Sequence, residues 1–209
     1  MRSSRPALTV LVTVFVTMVA LAACASSGRL LQSWKDPSVK KLDFEKVVAI
    51  ALVEDGPTRR LAESEMARII GPDAVPGSQV LPAEELRDID KVKSRLKEGG
   101  FDGAITMRLV DAETEIRDEQ DPLPTAYYTI WGYYGFVSIA ERGPAYMTLD
   151  SKLQIEVNIY SLDSEKLLWS GTTETMQPRL METLVKDVAD LVSKRLKREG
   201  LLSASPAAT

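Results

Sequence analysis

Apolar positions along this chain follow two periods, and the order in which they alternate predicts a fold. Lys46–Val53 (KVVAIALV) is a continuous apolar, β-branched run, the pattern of a strand buried on both faces. Glu54–Pro57 turns the chain. Thr58–Ile70 then places Ala62, Met66, Ile69 and Ile70 on one helical stripe, with Gly71 as the stop and Arg59–Glu63 as an i, i+4 pair on the wet face. Asp73–Leu81 reads as a short strand that Pro76 assigns to an edge or a bulge. From Pro82 to Glu98 the helical period returns through Leu86, Ile89, Val92 and Leu96, and Gly99–Gly100 ends it. Phe101–Ile116 is a further strand, with Ile105, Met107 and Leu109 on one side.

The second half changes character. Thr148–Tyr160 alternates strictly: Leu149, Leu153, Ile155, Val157 and Ile159 point inward, and Asp150, Lys152, Gln154, Glu156 and Asn158 outward. Ser161–Ser164 is a turn and Glu165–Thr175 a returning strand, which together predict an antiparallel hairpin with one wet face. Pro178–Glu199 carries Met181, Leu184, Val185, Val188, Leu191, Val192 and Leu196 on one stripe and is the longest helix. The expectation is a single α/β domain: βαβαβ with parallel crossovers, a loop, the hairpin and a C-terminal helix. That makes a mixed sheet of about five strands with three helices.

One segment fits neither period at first sight. YYTIWGYYGF holds Tyr127, Tyr128, Trp131, Tyr133, Tyr134 and Phe136, six of the chain's 3 Trp, 6 Tyr and 4 Phe. It falls in a connection of about 30 residues, longer than compact domains ordinarily use without a function. Three readings are open. The rings can cover the sheet as an extra strand over Thr129–Ala140, with Gly132 and Gly135 as bulges. They can form a partner-binding surface, for which Tyr and Trp are favoured anchors. They can also sit at a membrane interface.

The N-terminus decides where the protein works. Arg2 and Arg5 precede an uncharged apolar run, Ala7–Ala23, that ends in Leu21-Ala22-Ala23-Cys24. Small residues leading into the chain's only cysteine resemble the lipobox of bacterial lipoproteins, in which that cysteine is acylated and becomes the first mature residue. The resemblance implies a signal peptide over 1–23 and lipidation, palmitate included, at Cys24. Ala25 in place of Asp implies the outer membrane, with the domain on the periplasmic face. Residues 24–45 then read as a lipidated tether of little regular structure, on which Trp34 and Phe44 dock. Twenty extended residues span at most ~70 Å. The α/β domain occupies 46–200 with the aromatic loop over 122–147, and 201–209 is a frayed tail.

Composition narrows the chemistry. The formal net charge is −4, and more acidic without Arg2 and Arg5, so there is no basic footprint for nucleic acid. The chain has no histidine, which excludes imidazole bases and His-containing triads and zinc sites. With Cys24 consumed by lipid, thiolate chemistry is excluded as well. Ser38-Val39-Lys40-Lys41 matches a Ser-x-x-Lys pattern, but the Ser-Asp-Asn and Lys-Thr-Gly strings that accompany it in penicillin-interacting enzymes do not occur. Asp111, Glu113, Glu115, Asp118, Glu119 and Asp121 are oxygen-rich but lack EF-hand spacing, and read as a solvated face. Glu63 and Glu65 point to different helix faces and form no acid/base pair. No cofactor and no metal site is expected.

Across most of its mature length the chain resembles a group of bacterial lipoproteins of unknown function, through SWKDP (Ser33–Pro37), KVVAIALV, RRLAESE, DAVPGS, GFDGAITMRLV and LLWSGTTET. At the level of fold it is similar to envelope lipoproteins that activate peptidoglycan synthases or build the curli secretion channel. The nearer resemblance implies only an uncharacterised envelope lipoprotein. The missing catalytic chemistry and the aromatic window add the expectation that it is non-enzymatic and binds an envelope protein or itself through Tyr127, Tyr128, Trp131, Tyr133, Tyr134 and Phe136. Two alternatives stand beside it: a regulator of a cell-wall synthase, and a carboxylate-based hydrolase.

Overall fold

Six consecutive buried residues, Val47 to Leu52, form an interior strand of the sheet, and both their faces are covered. The computed structural model describes residues 28–110, 128–140, 152–176 and 180–203. Their order is β1 (Gly28–Lys35), β2 (Val47–Leu52), α1 (Gly56–Ile70), β3 (Ala74–Pro76), α2 (Ile89–Glu98), β4 (Gly103–Val110), α3 (Ile130–Ala140), β5 (Lys152–Ser161), β6 (Leu167–Met176) and α4 (Met181–Arg198). The strands make one six-stranded sheet in the order β1-β6-β5-β4-β2-β3. β2 is parallel to β3 and to β4, as the βαβ alternation requires, and the pairs β4–β5, β5–β6 and β6–β1 are antiparallel.

Alternate residues of the sheet feed two cores. Val47, Ala49, Ala51, Ile105, Met107, Val157, Ile159 and Trp169 pack under α1 and α4. Val48, Ile50, Leu52, Ala104 and Tyr160 pack under α2 and α3. A continuous apolar run in β2 is the consequence of a strand with helices on both faces. α4 buries Leu184, Val185, Val188, Val192 and Leu196 on its inner stripe. At ~1.5–3 kcal/mol per buried aliphatic side chain, that stripe supplies on the order of 10 kcal/mol before chain entropy is subtracted.

Local signals set the ends. Asp55 caps α1 by accepting from the Thr58 N–H at 2.8 Å, and Gly71 ends it at φ 130°. Asp88 caps α2 by accepting from the Lys91 N–H at 3.1 Å. That cap starts the helix at Ile89 rather than at Pro82, and Ala83–Glu85 is a separate 3₁₀ turn. The strand expected over Asp73–Leu81 is shorter, Ala74–Pro76 followed by a 3₁₀ turn over Gly77–Gln79, and lies at the sheet edge where Pro76 belongs.

The largest correction concerns the tether. Gly28–Lys35 is a strand, not a loose linker. It pairs with β6 from Gly28↔Thr175 to Lys35↔Trp169, with a bulge between Leu30 and Gln32. This accounts for the sixth strand. Phe44 docks as expected, its ring so close to Gly103 that a Cβ there would stand 2.7 Å from it. The tail is ordered at its start: Leu201 is fully buried and its carbonyl accepts from the Leu42 N–H at 3.0 Å. Residues 1–27, with the signal segment and Cys24, lie outside the described residues, as do 204–209.

Candidate functional site

Thr129 opens the aromatic window as a helix. Its Oγ1 accepts from the Gly132 N–H at 3.2 Å and its carbonyl from the Tyr133 N–H at 3.0 Å, the bonds of a helix N-cap. The window is therefore α3 rather than an extra strand, and it does cover the sheet. Ile130, Tyr133 and Tyr134, at i, i+3 and i+4, are the buried positions. That stripe was present in the sequence, masked by the two glycines that suggested bulges.

The two buried tyrosines are core, not contact. Tyr133 packs its ring 5.7 Å from that of Tyr160 and has the Arg108 guanidinium 5.8 Å from its centroid. Burial, reinforced by the nearby Glu156 charge and opposed by Arg108, pushes the Tyr133 phenol well above its ordinary pKa. Tyr134 donates from its hydroxyl to the Leu86 carbonyl at 2.7 Å. Its pKa is also raised, by burial first, with Arg59 opposing and Glu63 adding. Both rings are buried in the core, so neither is presented at the surface of the domain. The reason is geometric: both side chains point from α3 onto the sheet. Phe136 lies further along α3, and Tyr127 is outside the described residues.

Among the described aromatic side chains of the window, two reach the surface. Trp131 is half-buried, with Lys93 Nζ 5.2 Å from its ring centroid, and Lys93 pairs with Glu165 at 2.6 Å. Tyr128 is 41% exposed and stands edge-on to Trp34 of β1, ring centroids 6.3 Å apart and planes at 85°. Sequence reasoning placed Trp34 on the tether and missed this pairing, because only the sheet brings 34 and 128 together. Leu31, at the β1 bulge, and Trp34 are each 36% exposed. β1 is an edge strand, so one row of its backbone N–H and C=O groups faces away from the sheet. Aromatic side chains beside an open strand edge form the candidate site.

The hairpin face expected to be wet is buried. Glu156 and Asn158 are 2% and 0% exposed, beside buried Thr106, Arg108, Ser170 and Glu174. Arg108 and Glu156 stand opposite each other across β4 and β5, with two guanidinium–carboxylate distances of 3.4 Å. Asn158 donates to Glu156 at 2.7 Å. Thr106 Oγ1 and Asn158 Oδ1, opposite each other in the register, are buried and have no hydrogen-bond partner among the described residues.

A cleft of about 680 Å³ opens where β2 ends and α1 begins, lined by Leu52, Arg60, Leu81, Pro82, Leu86 and Tyr134 among others. Its carboxylates are Glu54, engaged by Arg87 at 2.8 Å, and Glu84 on the exposed 3₁₀ turn. Each described carboxyl group with a displaced pKa is lowered, by a hydrogen bond from a neighbour: Ser38 for Asp36, Thr58 for Asp55, Arg95 for Glu85, Lys91 for Asp88, Lys93 for Glu165 and Lys186 for Glu182. A general acid for glycoside hydrolysis needs the opposite displacement. Among the described residues no group of three or more Cys, Asp or Glu is placed to hold a metal ion.

No family model and no curated protein matches this sequence. Among solved structures the chain is similar to two of the PelC dodecamer from Paraburkholderia phytofirmans. One, of a point variant, is 11% identical, covers 79% of this chain and 96% of that one, and has a TM-score of 0.44. The other is 13% identical, covers 84% and 99%, and has a TM-score of 0.43. The likeness is to the course of that chain alone.

Proposed function

We propose that this chain is a non-enzymatic lipoprotein of the cell envelope, held on the periplasmic face of the outer membrane by acyl chains on Cys24, and that it binds another envelope protein along the β1 edge. The observation that carries the reading is the pair Trp34–Tyr128, two exposed aromatic rings beside the open backbone of an edge strand. An extended segment of a partner can add to such an edge, its main chain supplying affinity and the rings supplying pockets. Of the residues first assigned to contact, Tyr128 and Trp131 remain in it, and Trp34 and Leu31 join them.

The β1 pairing also weighs against a regulator that reaches to an inner-membrane cell-wall synthase. With Gly28 already in the sheet, the greatest extended distance from Cys24 to the domain falls from ~70 Å to about 14 Å. The partner must come to the outer membrane.

A photo-crosslinking residue at Trp34, and separately at Tyr128, in living cells tests the reading. Discrete protein adducts are expected, and an adduct of twice the chain mass would identify the partner as a second copy. Adducts to lipid alone, or within the chain alone, would overturn it.

A further inference from the structure

Gly28 is hydrogen-bonded into the sheet opposite Thr175, and only three residues separate it from Cys24. Four peptide units reach at most ~14 Å, about twice the depth of the headgroup region on one side of a bilayer, so the domain stays against the membrane surface. The strand directions then place a whole end of the molecule there. β1 starts where β6 ends, β5 starts and β4 ends, and β2, parallel to β4, ends there too. α1 follows β2 and α4 follows β6, so both helices begin at this same end. It carries Leu180, at 65% the most exposed large apolar side chain among the described residues. Trp34 lies six residues along β1 from Gly28, ~20 Å away at the strand rise.

We propose that the end of the sheet carrying Gly28 and Leu180 rests on the lipid surface, which turns the Trp34–Tyr128 edge away from the membrane. The inference rests on acylation of Cys24. It separates two of the roles open to the aromatic window, since rings held ~20 Å along the strand from Gly28 meet a periplasmic partner rather than headgroups. Two helix N-termini at this end present their positive poles to the phosphate layer.

The test uses the acylated full-length protein in phosphatidylcholine vesicles that contain a headgroup spin-labelled lipid. Cys24 is the only cysteine and its thiol is consumed, so a fluorescent thiol probe can be placed uniquely by Glu182→Cys, Tyr128→Cys or Lys97→Cys. Glu182, in the first turn of α4, is at the proposed contact; Lys97, in the last turn of α2, is at the far end. The probe at 182 is expected to be quenched several-fold more than those at 128 and 97. Equal quenching at all three, or strongest quenching at 128, would overturn the orientation. Flotation of the same vesicles separates this from the anchoring reading. If the protein floats and Cys24→Ala does not, but quenching is uniform, anchoring stands and the orientation falls. If the unmutated protein does not float, both fall.

Discussion

Glu63 and Arg59, one turn apart on α1, form an ion pair sealed inside the protein. Arg59 Nε donates to Glu63 Oε1 at 2.8 Å, and the Glu63 side chain has no solvent exposure. Glu63 also accepts from the Ser78 N–H at 2.6 Å and the Ala51 N–H at 3.3 Å, while Arg59 donates to the Leu81 carbonyl at 3.0 Å. One carboxylate thus ties α1 to β2 and to the turn after β3. Glu63→Gln is expected to lower the unfolding free energy by about 3 kcal/mol, because it leaves a buried guanidinium without its counter-charge. Urea denaturation checks this; a loss under 1 kcal/mol would mean that water reaches the pair.

Core and contact tyrosines separate by mutation. Tyr134→Phe removes the hydroxyl that donates to Leu86 and should cost ~1 kcal/mol. Tyr133→Ala should cost ~3–5 kcal/mol through loss of buried ring volume. Tyr128→Ala should stay within ~1 kcal/mol of the parent while abolishing crosslinking from Trp34. Equal destabilisation by Tyr128→Ala and Tyr133→Ala would contradict the assignment of α3.

Gly103→Ala is expected to destabilise by ~1–3 kcal/mol, since the new methyl would meet the Phe44 ring. Phe44→Leu in the same chain should recover part of the loss. The two substitutions would then be non-additive, which independent sites would not be.

Asp88 caps α2, and its pKa is lowered chiefly by the hydrogen bond from the Lys91 N–H. A carboxyl group with a folded pKa below its unfolded value, ~3.9 for aspartate, stabilises fully above that value. The contribution is lost as pH falls through the folded pKa. Asp88→Asn keeps a capping oxygen without a titrating group. Thermal denaturation between pH 6 and pH 2.5 should therefore show a shallower acid decline in the variant than in the parent. Identical profiles would mean that the cap adds no pH dependence.

Amide hydrogen exchange distinguishes a tether from a strand. A loose 28–35 segment would exchange at the rate of an unstructured peptide, whereas the β1–β6 register predicts protection at those β1 amides that donate to β6. Residues whose N–H groups face outward should exchange fast, which gives an alternating profile along β1.

The helical and strand periods carried most of the fold. α1, β4, the hairpin and α4 follow from side-chain spacing, because a helix or strand that faces a core repeats its apolar residues at 3.6 or 2, and β2 follows from the continuous apolar run of a strand covered on both faces. β1 was not legible, since an edge strand lies against one neighbour only and needs no buried face of its own. Its Ser, Gly and Lys content resembles a linker until β6 is beside it. The wet face assigned to Glu156 and Asn158 failed for a related reason. Alternation distinguishes two faces of a strand, but not whether the polar one meets water or a second layer.

Sequence alone determined the class of the domain, the absence of histidine and of any thiol besides Cys24, and the signal-like segment that ends at that residue. These are properties of composition and of short-range spacing. Only the tertiary structure decided which aromatics are core, that Trp34 and Tyr128 meet, that Arg59 and Glu63 are buried, and that the supposed tether belongs to the sheet. Each of these depends on residues distant in sequence coming to one place, and burial is a property of the packed neighbours rather than of the residue.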